Sequence, residues 1–167
     1  MDPRQCAQLV KEGIKKAGID LVASVPDLKI VDLIKSIKED PGLTHITLCR
    51  EEEGIGICAG AYLTGRKSAL LMQNAGLLNS CNALTTTSLH FQIPVLLLIY
   101  YAGDIGDRGF ATLGSVTEPV LGALGIRAYI PRRIEEAEST LVGAQTLAED
   151  SRRPVAVLLT KDILGAK

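Results

Sequence analysis

Residues 48–82 read LCREEEGIGICAGAYLTGRKSALLMQNAGLLNSCN, a stretch in which two strand-like segments end in polar side chains. The glutamates at residues 51–53 follow the first segment and precede a helix-like run rich in glycine and alanine. The second segment, residues 68–72, is followed by Gln73 and Asn74. Because open α/β sheets bind ligands at the carboxyl ends of their strands, we expect these polar groups to meet at one ligand-binding edge.

Strand-like and helix-like segments alternate along the whole chain with short connections. Apolar runs predict six strands, at residues 19–25, 44–49, 68–72, 93–100, 126–130 and 155–160. Helices are predicted at residues 3–17, 30–37, 52–63, 77–89, 116–124 and 134–149. This alternation is typical of βαβ units. The sequence therefore predicts an α/β fold: a doubly wound, mostly parallel six-stranded sheet with helices on both faces, in a single domain spanning residues 1–167.

The composition excludes several classes of function. A net charge of −1 and an aromatic content of 4% disfavour a nucleic-acid-binding module. The longest apolar run, residues 93–101, is about half a membrane span, so we expect a soluble, cytoplasmic protein with no membrane partner. The cysteines are far apart and the chain has 2 histidines, so we expect free thiols and no metal site.

Several common phosphate-binding and hydrolase motifs are missing. No G-x-G-x-x-G follows the first predicted strand, and neither a P-loop nor a G-x-S-x-G elbow occurs. The long loop at residues 102–114 is a candidate functional loop because it carries four glycines and three charges. Its segment GDIGD, residues 103–107, has too few ligands for a calcium loop, and we interpret it as a mobile turn.

The three consecutive glutamates do not have equivalent positions. Glu52 and Glu53 suit the amino terminus of a helix, where the helix dipole favours negative charge. Glu51 sits at the junction of strand and helix, the position from which a side chain most easily reaches the crevice at the sheet edge. A partly desolvated carboxylate there is suited to proton exchange with a bound ligand. We therefore select Glu51 as the candidate catalytic residue.

These residues also carry a family resemblance. Arg50-Glu51, followed nine residues later by Gly60-Ala61-Tyr62 and then by Met72-Gln73-Asn74-Ala75-Gly76 and Asn79, resembles the pyrimidine-binding domain of thiamine-diphosphate-dependent 2-oxo acid decarboxylases. The resemblance extends from Val25-Pro26-Asp27 to the last predicted strand. The chain differs at Leu78, where a glycine is common in that family.

The resemblance implies a role for each candidate site residue. In this family one glutamate, here Glu51, hydrogen-bonds N1′ of the cofactor's aminopyrimidine and so promotes removal of the proton at thiazolium C2. Gln73 and Asn74 would face cofactor and substrate, although either could instead be a strand-end amide that bonds nearby backbone. The cofactor-binding candidates are Glu51, Gln73, Asn74 and Pro26. The substrate-binding candidates are Asp27, Arg50, His90 and Arg108.

The family holds the cofactor diphosphate through Mg²⁺ with a Gly-Asp-Gly motif and a later asparagine, and this chain lacks both. Gly103-Asp104-Ile105 is not that motif, and Asn82 is the last asparagine. The resemblance therefore implies that a beta subunit supplies the diphosphate and Mg²⁺ half of the site, and that this chain also self-associates. The implied activity is conversion of 3-sulfopyruvate to sulfoacetaldehyde and CO2 in coenzyme M biosynthesis. Phosphonopyruvate as the substrate, or a non-catalytic binding or regulatory subunit that kept the fold, are the alternatives.

Overall fold

The computed structural model describes residues 2–165, in which strands and helices alternate. The strands are β1 (Leu21–Ser24), β2 (Thr44–Thr47), β3 (Ser68–Gln73), β4 (Leu96–Tyr100), β5 (Arg127–Tyr129) and β6 (Val155–Leu159). The helices are α1 (Pro3–Lys16), α2 (Val31–Lys38), α3 (Glu51–Leu63), α4 (Asn74–Ala83), α5 (Ala111–Ala123), α6 (Ile134–Ser151) and α7 (Lys161–Leu164). A π-helical segment, Leu84–Leu89, continues α4.

The six strands form one sheet in the order β2-β1-β3-β4-β6-β5, and all pairs of neighbours are parallel. Every residue of β4 and β6 is buried, as expected for central strands covered by helices on both faces. The edge strands β2 and β5 are short and partly exposed. The predicted doubly wound, six-stranded parallel sheet is therefore confirmed.

Two hydrophobic clusters lie on opposite faces of this sheet. One cluster joins apolar residues of α1, α2, α6 and α7 to alternate residues of the strands, such as Leu71, Leu98 and Tyr100. The other joins α3, α4 and α5 to the intervening strand residues, such as Leu70 and Met72. Because side chains alternate along a strand, each central strand contributes to both clusters.

The order of the strands creates a crevice at the carboxyl edge. From β1 the chain passes to β2 on one side, and from β2 it returns to β3 on the other side of β1. The connecting helices α2 and α3 belong to opposite faces of the sheet. The carboxyl ends of β1 and β3 therefore flank the topological switch point, where open α/β sheets bind ligands.

Helix α4 begins three residues earlier than predicted, at Asn74 instead of Leu77. The predicted strand ends at Met72 and is followed by the polar pair Gln73 and Asn74, before the predicted helix. In the structure Gln73 completes β3 and Asn74 is fully buried, because its amide group bonds to groups distant in sequence. Tertiary hydrogen bonds thus stabilise a buried polar side chain at the first position of the helix.

Two further differences lie in the second half of the chain. Helix α5 begins at Ala111, five residues before the predicted start, and contains Pro119. Its first turn packs closely on the preceding loop, since a Cβ on Gly114 would lie 2.2 Å from the carbonyl oxygen of Gly103. Helix α7 was not predicted because it has only four residues; its N-cap, Thr160, accepts a hydrogen bond from the N–H of Ile163.

Candidate active site

The crevice between β1 and β3 brings Asp27 and Gln73 together. Gln73 ends β3, and its amide nitrogen donates to a carboxylate oxygen of Asp27 at 3.3 Å. The other oxygen of Asp27 accepts a hydrogen bond from the backbone N–H of Lys29 at 2.7 Å, which holds the turn after β1. Pro26 is exposed beside this pair. The structure therefore places the predicted residues Pro26, Asp27 and Gln73 at one edge.

Glu51 reaches the same edge from the other face of the sheet. It is the first residue of α3, it is half-buried, and it packs on Gly76 in the first turn of α4. A Cβ on Gly76 would lie 2.4 Å from Cγ of Glu51 and 2.8 Å from Oε1. A side chain at position 76 would therefore displace this carboxylate from the position described. The amino termini of two helices meet here, and both favour a negative charge.

The other two glutamates have structural partners. Glu53 accepts hydrogen bonds from the backbone N–H groups of Cys49 and Arg50, at 3.1 and 3.3 Å, and so caps α3. Glu52 forms an ion pair of 2.9 Å with Arg50 through Oε1. Its second oxygen is buried and has no hydrogen-bond partner within residues 2–165. The sequence predicts only a helix-terminal role for Glu52. Because one of its oxygens is buried and unpaired, a variant of Glu52 must be compared with a variant of Glu51.

Tyr100 is a residue of this edge that sequence reasoning missed. It ends β4 next to Gln73, and its hydroxyl donates to Asp107 at 3.2 Å. The backbone N–H of Gly103 donates to the same carboxylate oxygen at 3.0 Å. Burial, Asp107 and Asp27 together raise the pKa of Tyr100 to about 12. Tyr100 is therefore a neutral hydrogen-bond donor, and the sequence does not reveal it because it is the last residue of a uniformly apolar strand.

The glycine-rich loop after β4 is anchored at both sides of Gly106. Asp107 accepts the hydrogen bonds from Tyr100 and Gly103, and Asp104 forms an ion pair with Arg132. The ammonium group of Lys161 donates to the carbonyl oxygen of Gly106 at 2.6 Å. These contacts join the loop to β4, α7 and the residue before the N-cap of α6. The mobility of residues 103–107 stays a prediction.

Asn74 is close to the crevice but its amide nitrogen is used inside the protein. The side chain is fully buried, and Nδ2 donates to the carbonyl oxygen of Ala102 at 2.8 Å and to the hydroxyl of Thr117 at 2.9 Å. Its oxygen Oδ1 has no hydrogen-bond partner in the described part of the chain. Asn74 therefore ties the end of β3 to the loop after β4 and to α5.

The cationic side chains predicted to bind the substrate lie in different parts of the fold. Arg50 pairs with Glu52 beside the crevice, and its side chain is 67% exposed. Arg108 is exposed in the loop after β4, at the carboxyl edge. His90 directly follows the π-helical segment and precedes β4, so it lies at the opposite, amino-terminal edge of the sheet, against the ring of Phe91. The structure does not bring His90 into the crevice.

Residues 2–165 contain no group of three or more His, Cys, Asp or Glu residues arranged to hold a metal ion. The four cysteines are free thiols; Cys58 is buried, and burial raises its pKa to about 11. In the same range, no helix is long and apolar enough to cross a membrane.

Comparison with known proteins gives the family. Residues 4–105, which include Glu51, Gln73 and Gly76, match the family described as thiamine pyrophosphate enzyme, N-terminal TPP binding domain. The chain therefore belongs to the thiamine pyrophosphate enzymes. It is 38% identical over 155 residues to sulfopyruvate decarboxylase subunit alpha of Methanococcus maripaludis, covering 92% of this chain and 93% of the relative. The protein of the same name from Methanocaldococcus jannaschii is 40% identical over 151 residues, 89% of each chain. Within the thiamine pyrophosphate enzymes, the chain belongs to the family of these alpha subunits.

Two more distant comparisons complete this placement. A phosphonopyruvate decarboxylase of Streptomyces viridochromogenes is 25% identical over 92% of this chain, which spans only 40% of that longer protein. Among solved structures, 2-oxoglutarate:ferredoxin oxidoreductase from Magnetococcus marinus superposes with a TM-score of 0.78 at 18% identity, over 98% of this chain and 29% of the other. The latter similarity shows the fold alone.

Proposed function

We propose that this chain is the alpha subunit of a thiamine-diphosphate-dependent decarboxylase that converts 3-sulfopyruvate to sulfoacetaldehyde and CO2 in coenzyme M biosynthesis. The observation that carries the proposal is Glu51, a half-buried carboxylate held on Gly76 at the switch point of the sheet. The names of the relatives from M. maripaludis and M. jannaschii support the substrate and the dependence on another subunit. A cytoplasmic location stays a prediction.

The residues of the crevice fit the aminopyrimidine half of thiamine diphosphate. The absence of a Cβ at Gly76 leaves room for a carboxylate, and Glu51 there can share a proton with the ring nitrogen N1′. A positioned proton transfer of this kind contributes about 10²- to 10⁴-fold to a rate. When bound, the cofactor supplies the electron sink that accepts the electron pair released with CO2.

The remaining edge residues bind and orient in this proposal. Gln73 and Asp27 hold each other at the floor of the crevice, with Pro26 beside them. Asn74 positions the end of β3 through its amide nitrogen, which is already bonded within the fold, and its oxygen Oδ1 has no partner in residues 2–165. The sulfonate would be bound by Arg50 and Arg108, both of which are exposed near the carboxyl edge. His90 has no part, because it lies at the other edge.

A second polypeptide, the beta subunit, would hold the diphosphate and Mg²⁺. The relatives' designation as subunit alpha implies a partner, and the longer Streptomyces relative has room for a second domain within one chain. Large apolar side chains are exposed in the loops around the crevice: Leu28 after β1, and Ile105 and Phe110 after β4. Such a rim suits a surface that a partner covers.

Decarboxylation of phosphonopyruvate is the second candidate activity. It is favoured by the similarity to the Streptomyces phosphonopyruvate decarboxylase, at a lower identity than that to the sulfopyruvate decarboxylase subunits. Sulfonate and phosphonate are similar tetrahedral anions, and both suit arginine side chains.

The test is to purify the chain with a candidate beta subunit carrying the Gly-Asp-Gly motif, add thiamine diphosphate and Mg²⁺, and measure CO2 from each substrate.

Variants of the three glutamates separate catalysis from capping in that assay. We expect Glu51→Gln to fold normally and to lower kcat at least about 10²-fold, because a glutamine amide cannot share a proton with N1′. Glu53→Gln is the matched control: it weakens the cap of α3 by about 1 kcal/mol but leaves kcat close to wild type. Glu52→Gln tests the neighbouring buried oxygen.

Two outcomes would contradict the proposal in different ways. Full activity of Glu51→Gln, with loss of activity in Glu52→Gln, would transfer the catalytic role to the second glutamate. No CO2 from either substrate, in the presence of a partner that binds the chain and thiamine diphosphate, would favour a non-catalytic subunit that kept the fold.

A further inference from the structure

The loop after β4 carries two carboxylates and one cation close together in sequence. Residues 104–108 read DIGDR, so Asp107 directly precedes Arg108. The backbone N–H of Asp107 donates to the carbonyl oxygen of Asp104 at 2.9 Å, which closes a turn between them. The Cα atoms at the two ends of such a turn are less than about 7 Å apart. Both carboxylates are therefore near enough to pair with a side chain as long as that of Arg108.

Neither carboxylate of the loop pairs with Arg108. Asp104 forms an ion pair with Arg132, from the segment between β5 and α6, and its side chain is only 11% exposed. Asp107 accepts a hydrogen bond from the hydroxyl of Tyr100 at 3.2 Å. Arg108 is exposed and forms no ion pair with any residue in the described part of the chain. The loop thus binds its negative charges to the protein and leaves its positive charge open at the carboxyl edge.

Anchoring the loop explains the pair of Asp104 and Arg132 only in part. The side chain of Arg132 is 48% exposed, and ion pairs with an exposed partner stabilise a fold little. The ammonium group of Lys161 already holds the same loop, through its hydrogen bond of 2.6 Å to the carbonyl oxygen of Gly106. The ion pair has a second consequence, because it occupies the carboxylate that could otherwise neutralise the open arginine.

We propose that Arg132 is a positioning residue of the substrate site, which holds the carboxylate of Asp104 away from Arg108 and so keeps that guanidinium free for the sulfonate of the substrate. The inference rests on the proposed function, in which Arg108 binds this anion. Without Arg132, the turn allows Asp104 to pair with Arg108. A carboxylate tethered four residues away is present at a high effective concentration, so the substrate would have to compete with it.

The two arginines assigned to the sulfonate are thereby made unequal. Arg50 already forms an ion pair of 2.9 Å with Glu52, whereas Arg108 forms none within residues 2–165. An arginine without a carboxylate partner can offer its full set of donors to an oxyanion. We therefore expect Arg108 to supply the larger share of the affinity for the sulfonate.

The first test measures the steady-state kinetics of Arg132→Ala with the beta subunit, thiamine diphosphate and Mg²⁺ present. We expect KM for 3-sulfopyruvate to rise about 10-fold, the loss of one charge-assisted hydrogen bond, while kcat stays within about twofold of wild type. Arg133→Ala is the matched control. It removes the same charge one residue further on, at a side chain that is 74% exposed and pairs with Glu136, and its KM should equal that of wild type.

A second substitution separates charge sequestration from anchoring. In the Arg132→Ala background, Asp104→Asn should return KM to within about twofold of wild type, because an amide cannot form an ion pair with Arg108. If Arg132 only anchors the loop, the double variant stays impaired, since alanine cannot bond asparagine; that result would overturn the proposal. A further rise in KM when Arg132→Ala is added to Arg108→Ala would also overturn it, because Arg132 would then not act through Arg108.

Chemical modification of Arg108 tests the same point without turnover. Phenylglyoxal attacks the neutral guanidine, so a carboxylate partner, which stabilises the cation, should slow its reaction with Arg108 at least about twofold in Arg132→Ala. Adding Asp104→Asn should restore the wild-type rate, measured on the full chain by mass spectrometry. Equal rates in all three proteins would overturn the proposal. If circular dichroism shows that Arg132→Ala does not fold, Arg132→Gln replaces it. If the rates follow this pattern while no partner gives decarboxylation, Arg132 keeps Arg108 free and the proposed function fails.

Discussion

Replacement of Gly76 by alanine tests the contact on which the candidate site depends. The new Cβ would lie 2.4 Å from Cγ of Glu51 and 2.8 Å from Oε1, whereas carbon atoms in contact are about 3.5–4.0 Å apart. The Glu51 side chain must therefore move by about 1 Å, out of the position that the helix termini create. A misplacement of about 1 Å can lower a rate by about 10²-fold.

The stability of the Gly76→Ala variant should change much less than its activity. Alanine is the better helix former by about 1 kcal/mol, and this gain offsets a displaced side chain that costs about 0.5–1.5 kcal/mol. We expect kcat/KM for decarboxylation, measured with the beta subunit and cofactor present, to fall by about 10²-fold while the thermal midpoint moves by a few degrees.

Gly143→Ala is the matched control for this experiment. Gly143 is an exposed glycine of α6, and its Cβ would meet nothing within 4 Å. The variant should gain helix stability of up to about 1 kcal/mol and keep full activity. The reasoning is refuted if Gly76→Ala keeps a wild-type kcat/KM, because Glu51 would then not act from the position described.

Two further predictions concern the edge loop and the acid stability of the fold. Tyr100→Phe removes the hydrogen bond to Asp107, so it should lower the free energy of unfolding by about 1 kcal/mol. It should also speed tryptic cleavage after Arg108. Unchanged cleavage would show that the loop is held by other contacts. The ammonium groups of Lys15 and Lys11 hold the pKa of Asp40 well below its usual range. The ion pairs of Asp40 therefore contribute fully to stability above the unfolded-state pKa of about 3.9, and this contribution is lost as the pH falls further. Asp40→Asn should therefore lower the thermal midpoint at pH 6 and differ less from wild type at pH 3, whereas a constant difference between the two midpoints would exclude this linkage.

The sequence by itself determined the alternation of six strands and their helices, and it identified Glu51 as the carboxylate at a strand-to-helix junction. These features depend on local periodicity and on helix-terminal preferences, which short segments express on their own. The starts of α4 and α5 were placed late because Asn74, and the close approach of Gly103 to Gly114, are stabilised by contacts with residues far along the chain.

Only the tertiary structure decided which groups meet. The order β2-β1-β3 places the turn after β1 beside the end of β3, so that Asp27 bonds Gln73, and it brings the start of α3 onto Gly76. His90 lies at the opposite edge because it precedes β4 in a sheet whose strands are all parallel. Contacts with Ala102 and Thr117 give the amide nitrogen of Asn74 a structural role. Local patterns carry no information about strand order, because that order is set by how the apolar faces of all the elements pack together. The sequence therefore predicted the catalytic candidate, and the packing determined its surroundings.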